Sequence, residues 1–227
     1  MRIQLDFGAV LAEWPLLLTG VGWTLALTLA ALMMGTALGL VCAWVRARGF
    51  GQGVAPRWLY ALVGAYVETI RNTPFIIQLF FIFFGLPAAG LKLTAETASL
   101  LAMVVNLGAY AAEIIRSGLE ATPKGQIEAA VSLALTRWQI FTRVVVPPAM
   151  KKVWPSLVSQ IIIVMLGSSV CGQISTQELS YAADLIQSRN FRSFEAFIVI
   201  GVIYLALSMA LRAALNWMGP KFLFGGR

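Results

Sequence analysis

Gly125-Gln126-Ile127-Glu128-Ala129-Ala130-Val131-Ser132-Leu133-Ala134, closing on Val146-Pro147-Pro148-Ala149, is a polar stretch set between two long apolar ones. Its ends carry helix signals. Thr122-Pro123 offers a cap with proline at the first helical position, so a short helix is expected over Lys124–Leu133. Thr136-Arg-Trp-Gln139 has the spacing of a capping box and opens a second helix, which Pro147-Pro148 is expected to stop. The segment 117–153 therefore reads as an ordered loop of helix, turn, helix and stop.

Outside this loop the chain is greasy. Of 227 residues, 59% are hydrophobic and only 12% charged, which excludes an ordinary soluble domain. A membrane crossing needs about 20 mainly apolar residues. Five stretches qualify, at about 16–45, 59–86, 97–115, 154–174 and 194–217, so the expected fold is an all-α membrane protein of five spans. The first two stretches are too long for simple spans and imply tilt, an interfacial lead-in or a break. Pro74 lies in the second, after Asn72-Thr73, where it removes a backbone donor and disfavours helix at the preceding residue. Residues 1–14 form a short arm with Asp6 and Glu13. An external turn is expected over Gly85–Gly90, and Pro155 is expected to precede the fourth span. Ser175-Thr-Gln-Glu178 has capping-box spacing and opens a short helix. Its Leu179, Ala182, Ala183, Leu185 and Ile186 are expected to face the membrane. Residues 218–227 form a tail.

The net charge of +7 is placed by topology. Arg46, Arg48, Arg57, Arg116, Lys124, Arg137, Arg143, Lys151, Lys152, Arg212, Lys221 and Arg227 fall on one side of the expected membrane. Arg2, Lys92, Arg189 and Arg192 fall on the other. Positive residues stay in the cytoplasm, so the N-terminus is expected outside and the C-terminus inside. No soluble basic face with aromatics is visible, so no nucleic-acid role is expected. Trp14, Trp58, Trp154 and Trp217 near span ends read as interfacial anchors.

No catalytic residue and no metal site is expected. The chain has no His, and Cys42 and Cys171 both fall inside spans. The first apolar run lacks the basic start and short core of a cleavable signal. No Walker-type phosphate loop is present, so any ATP is hydrolysed on another polypeptide. Polar residues within spans are of two kinds. Some line a wet path and others join helices. The candidates for the path are Arg71, Gln78, Asn106, Glu113, Ser168, Ser169 and Gln173. Glu113 and Arg116, and Glu68 and Arg71, are each three apart and share a helix face. Gly35-x-x-x-Gly39 suggests close helix packing.

Four segments in order resemble one family. Glu128-Ala-Ala-Val-Ser-Leu133, followed by Phe141, Val145 and Pro147-x-Ala149, looks like the EAA loop of binding-protein-dependent ABC permeases. Glu68-Thr-Ile-Arg-Asn-Thr-Pro74-x-x-x-Gln78-Leu-Phe-Phe, Gly108-Ala-Tyr-Ala-Ala-Glu113-Ile-x-Arg116-x-Gly118 and Ile174-x-x-x-Glu178-Leu-x-Tyr181 resemble the polar amino acid subfamily. The resemblance covers about 15–217. It implies a type I ABC transmembrane domain in the bacterial inner membrane, forming the path for a polar amino acid. It also implies an ABC ATPase dimer carrying ATP and Mg, a second permease subunit of the same or a related chain, and an external solute-binding protein. Gln126, Glu128, Ala129, Ala130, Ser132 and Leu133 would then contact the ATPase. Two departures stand out. Ala134 replaces the usual Gly after the coupling helix, where a left-handed turn would strain an alanine. Leu166-Gly-Ser-Ser-Val170 replaces the usual polar patch of span four. An ATP-independent secondary transporter or channel subunit, or a membrane scaffold, would need no ordered cytoplasmic loop of this kind.

Overall fold

The computed structural model describes residues 5–46, 56–219 and 221. Residues 1–4, 47–55, 220 and 222–227, and with them Arg2, Arg48 and Arg227 of the charge pattern, lie outside the described residues. Among the described residues the regular structure is entirely helical. In chain order the helices are α1 (Phe7–Leu11), α2 (Trp14–Arg46), α3 (Arg57–Arg71), α4 (Phe75–Ala88), α5 (Ala95–Glu120), α6 (Lys124–Ser132), α7 (Arg137–Ile174), α8 (Leu179–Asn190) and α9 (Ser193–Met218).

Helices α2, α5, α7 and α9 are each long and apolar enough to cross a membrane; the bent pair α3 and α4 passes the same test as a fifth. The central contact is α2 against α5, and small residues make it. A Cβ added at Gly39 would sit 2.5 Å from Ala111 Cβ and 3.0 Å from the Gly108 carbonyl oxygen; one at Gly35 would sit 2.9 Å from Leu107 Cβ. The backbones approach that closely because the side chains are missing. Leu27, Ala31, Leu79, Met103, Leu107, Val158 and Ile161 then form the main core between α2, α4, α5 and α7.

The chain breaks at Asn72-Thr73-Pro74, with α3 and α4 at 114°. Pro74 itself is extended, at φ −61° and ψ 141°. The carbonyls exposed by the break are not left unpaired. The Asn72 side chain donates to Glu68 O at 2.7 Å, and Gln78 Nε2 donates to Ile70 O at 2.8 Å and Thr73 O at 2.9 Å. In lipid each of these groups unpaired would cost several kcal/mol.

Several expectations are corrected. Pro147-Pro148 does not stop a helix. α7 runs unbroken for 38 residues, so the helix that contains the expected fourth span begins well before Trp154, and Pro155 lies inside it. The prolines come after a π-helical turn at Ile140–Val145, which has already widened the hydrogen-bond ladder that a proline would otherwise break. α4 continues to Ala88, past the expected turn at Gly85, and α5 continues to Glu120, beyond the stretch expected to cross the membrane. Pro123, not Thr122, caps α6, and its side chain makes no capping bond. Thr136 and Gln139 do form the expected capping box. Glu178, not Ser175, caps α8; Ser175 is left-handed at φ 66° and closes the 3-10 turn Ser168–Ile174 that ends α7. The face of α8 expected to meet lipid packs on protein instead. Leu179, Ala183 and Ile186 are buried with Val10, Leu17, Ile200 and Tyr204. Trp154 packs beneath Gly219, where a Cβ would collide with its indole, whereas Trp14, Trp58 and Trp217 are exposed.

Candidate functional site

The polar residues gather at three places. The first is a charge cluster joining α2, α3 and α5. Arg116 grips Glu113 through Nε at 3.1 Å and a terminal nitrogen at 2.5 Å, and reaches Glu120 at 2.6 Å. Arg46 of α2 and Arg71 of α3 approach the same Glu113 carboxylate at 3.6 and 3.9 Å. One carboxylate therefore faces three guanidinium groups, and the cluster carries excess positive charge. Arg71 is the most open of the three, with 39% of its side chain exposed, and it lies over the Tyr110 ring at 5.6 Å. Arg71 and Glu113, expected as separate path residues, thus sit together. Glu68 does not pair with Arg71 among the described ion pairs.

Above the cluster lies the broken helix. Gln78 and Asn106 are buried and bonded to each other, Asn106 Nδ2 donating to Gln78 Oε1 at 3.0 Å. A small cavity of about 90 Å³ opens beside them, lined by Phe75, Asn106, Ile163, Val164 and Gly167. The span-four segment therefore does face the break, through Gly167. Ser168 is fully buried and its hydroxyl donates to Met165 O at 2.7 Å; Ser169 donates to Leu166 O at 2.7 Å. Gln173 is exposed. Met165 and Leu166 offer these carbonyls because the helix tightens to 3-10 geometry here.

The second place is the loop. Gln126, Glu128, Ala129, Ser132 and Leu133 are exposed, Leu133 to 75%, while Ala130 is buried against Ile115, Leu119, Ile140 and Val145. Ala130 and the partly buried Ile127 anchor α6, and the remaining face is exposed. Ala134 comes next with φ 55°, so this alanine does adopt the left-handed conformation. Leu135 N then bonds back to Ala130 O at 3.2 Å, which closes the turn.

The third place was not anticipated. Glu178 is fully buried. Its carboxylate accepts from Tyr181 N at 3.0 Å and from the Tyr204 hydroxyl, and it forms no ion pair among the described residues. Thr24 joins the group by accepting from Leu179 N at 3.3 Å, and Ser99 and Thr176 bond at 2.7 Å nearby. Burial pushes the Glu178 carboxyl above its ordinary range, against the lowering effect of the Tyr204 hydroxyl and the backbone donors. The sequence signal existed, since Glu178 stood in a capping pattern, but that pattern reads as an exposed loop.

The family described as "Binding-protein-dependent transport system inner membrane component" matches residues 35–223. The chain is 35% identical over 211 residues to the glutamine transport system permease protein GlnP of Escherichia coli K12, covering 92% of this chain and 94% of that one. It is 34% identical over 202 residues to the L-cystine transport system permease protein TcyB of Bacillus subtilis, covering 86% and 83%. Among solved structures, an amino acid ABC transporter with histidines superposes with a TM-score of 0.86 at 32% identity, over 97% of this chain and 100% of that chain. The MetNI methionine ABC transporter in an inward-facing conformation gives 0.68 at 24% identity, over 88% and 95%, a likeness of fold alone.

Proposed function

The chain belongs to the binding-protein-dependent inner membrane components of ABC transporters, and on that premise we propose that it forms the path for a polar amino acid in an ATP-driven importer of the bacterial cytoplasmic membrane. The fold is the all-α transmembrane domain of a type I ABC transporter. In this reading the bent α3–α4 pair is one of five crossings, the N-terminus is outside and the C-terminus is in the cytoplasm. The Lys and Arg asymmetry supports that orientation.

The observation that carries the reading is the way α6 is mounted on α7. α6 is held by the buried Ala130 and the partly buried Ile127 and presents an exposed face containing Gln126, Glu128 and Leu133. It connects through the tight turn at Ala134 to a single helix that runs from Arg137 to Ile174. A push on α6 from the water therefore reaches the far end of α7 without a slack joint. The push comes from a separate ATPase dimer holding ATP and Mg. A second permease subunit completes the path, and an external solute-binding protein delivers substrate. Closure works only if the substrate-loaded components bind the two conformations with different affinity.

The path residues are Arg71, Gln78, Asn106, Glu113, Ser168, Ser169 and Gln173. Arg71 would meet the substrate carboxylate, a reading supported by its Glu113 partner being shared with Arg46 and Arg116. Gln78 and Asn106 hold the break open beside the cavity. Gln78 spends both amide hydrogens on backbone carbonyls, so it also keeps the break rigid.

The test is uptake of labelled glutamine, cystine and arginine into vesicles containing this permease with its ATPase and binding protein. Uptake is expected to need ATP with the ion gradients clamped. Uptake that survives ATP removal would establish a secondary transporter instead.

A further inference from the structure

A groove of about 380 Å³ opens at the α6 end of the fold, between the last turns of α2, the end of α5 and the first half of α7. Leu40, Val41, Trp44, Leu119, Trp138 and Phe141 form most of its walls, and Thr142 is the sole hydroxyl among the described lining residues. Water inside it would find few hydrogen-bond partners, so an apolar occupant is favoured. At about 30 Å³ per water-sized group, it has room for about a dozen methylenes.

Its surroundings select the occupant. Trp44 and Trp138 put two indoles at its rim, as at a membrane–water boundary. The water-facing α6 ends at Ser132, so the groove lies where the apolar helices meet the loop. Along α7, bases alternate with the groove walls. Arg137 adjoins Trp138, Arg143 adjoins Thr142 and Lys151 adjoins Met150. All three bases are exposed, and none is in an ion pair among the described residues. The nearest acid of α5, Glu120, is already held by Arg116 at 2.6 Å. A second copy of this chain meeting the groove with the same face would bring the same bases against these. An apolar slot at headgroup depth, beside unneutralised cations, fits a lipid with a net negative head.

We propose that this groove binds one acyl chain of an anionic phospholipid, with the phosphate held by Arg137 and Arg143. The lipid would splint the end of α5 against the start of α7, the two helices that flank α6. It would thereby stiffen the segment through which motion passes. The inference rests on the chain spanning a bilayer with α6 at one surface. It needs neither the ATPase nor the amino acid.

The test uses the full chain in nanodiscs of phosphatidylcholine containing brominated phosphatidylglycerol or brominated phosphatidylcholine. Bromine quenches tryptophan on contact, and the Trp138 signal is the difference between the parent and Trp138→Phe. Brominated phosphatidylglycerol is expected to quench that signal at a much lower mole fraction than brominated phosphatidylcholine. At about 1 kcal/mol per basic residue, Arg137→Gln with Arg143→Gln should weaken the phosphatidylglycerol site about 30-fold and bring the two lipids level. The double variant should keep the parent's quenching by brominated phosphatidylcholine, which reports that its groove is still folded. Equal quenching by both lipids in the parent would mean an unselective greasy surface and overturn the proposal. No quenching by either would mean that the groove is covered, for example by a second copy, and would also overturn it. Lipid selectivity without amino acid uptake would leave this site standing and sink the transport reading alone.

Discussion

The two ends of the molecule are built on opposite principles. At the α8 end, the polar groups of the interior are paired with one another. Glu178, Tyr204, Thr24, Ser99 and Thr176 form buried contacts among α2, α5, α8 and α9, and Glu13–Arg189 at 3.2 Å and Asp6 N–Glu195 at 3.1 Å tie the N-terminal arm to the same end. At the α6 end, the helix is exposed, its turn contains a strained alanine, and one glutamate is shared by three arginines from three helices. The first end resembles a clamp. The second has the features of a part that moves, with an exposed helix and ion pairs that can be exchanged. Substitutions at the two ends should therefore fail differently, one through the amount of folded protein and the other through coupling.

The sharpest test of that contrast is Glu128→Lys. Reversing one exposed charge on α6 should leave the amount of inserted permease unchanged and cost about 2–4 kcal/mol of coupling to the ATPase. Transport measured in vesicles should fall at least ~30-fold. Loss of the protein itself would erase the distinction between the ends.

At the clamp, Glu178→Ala leaves the Tyr204 hydroxyl and the Tyr181 backbone donor without their acceptor. It should cost about 1–3 kcal/mol of stability, read as a lowered melting temperature in detergent, whereas Glu178→Gln should cost less. The same residue sets a pH dependence. Its carboxyl pKa is raised in the folded state, so its contribution is fully present below the unfolded carboxylate value of about 4.3. It is lost as pH rises through the folded value. Thermal stability should fall with rising pH over that window, and Glu178→Gln should flatten the curve. An unchanged slope in that variant would remove Glu178 as the source.

A smaller effect is expected from Ala134→Gly. Ala134 stands at φ 55°, where a Cβ costs about 1 kcal/mol. The glycine variant should be more stable by up to that amount, although its more flexible unfolded chain offsets part of the gain. Transport should be unaffected if the turn only needs its shape. If uptake changes while stability does not, the strain itself is used in coupling.

Much of this architecture was legible in the chain. Apolar length marked the membrane helices, Pro74 marked the break, and Gly35 with Gly39 marked the close packing of α2 on α5, because each acts through its own backbone or bulk. The α6 helix and the capping box at Thr136 were legible for the same reason. The candidate path residues were found as types but not as partners. Nothing in sequence spacing brings Arg46 and Arg71 to Glu113, or Asn106 to Gln78, since those contacts cross helices.

The sequence by itself determined that this is an all-α membrane protein with a structured loop between spans, since hydropathy, helix caps and a mid-span proline are local properties. Only the tertiary structure decided that Pro147-Pro148 would not stop α7. A preceding π turn absorbed the lost donors, and packing on α5 held the helix in place. Only it decided that Glu178 would be buried without an ion-pair partner among the described residues, since burial is a property of what neighbouring helices cover, and α2, α8 and α9 come together from opposite parts of the chain.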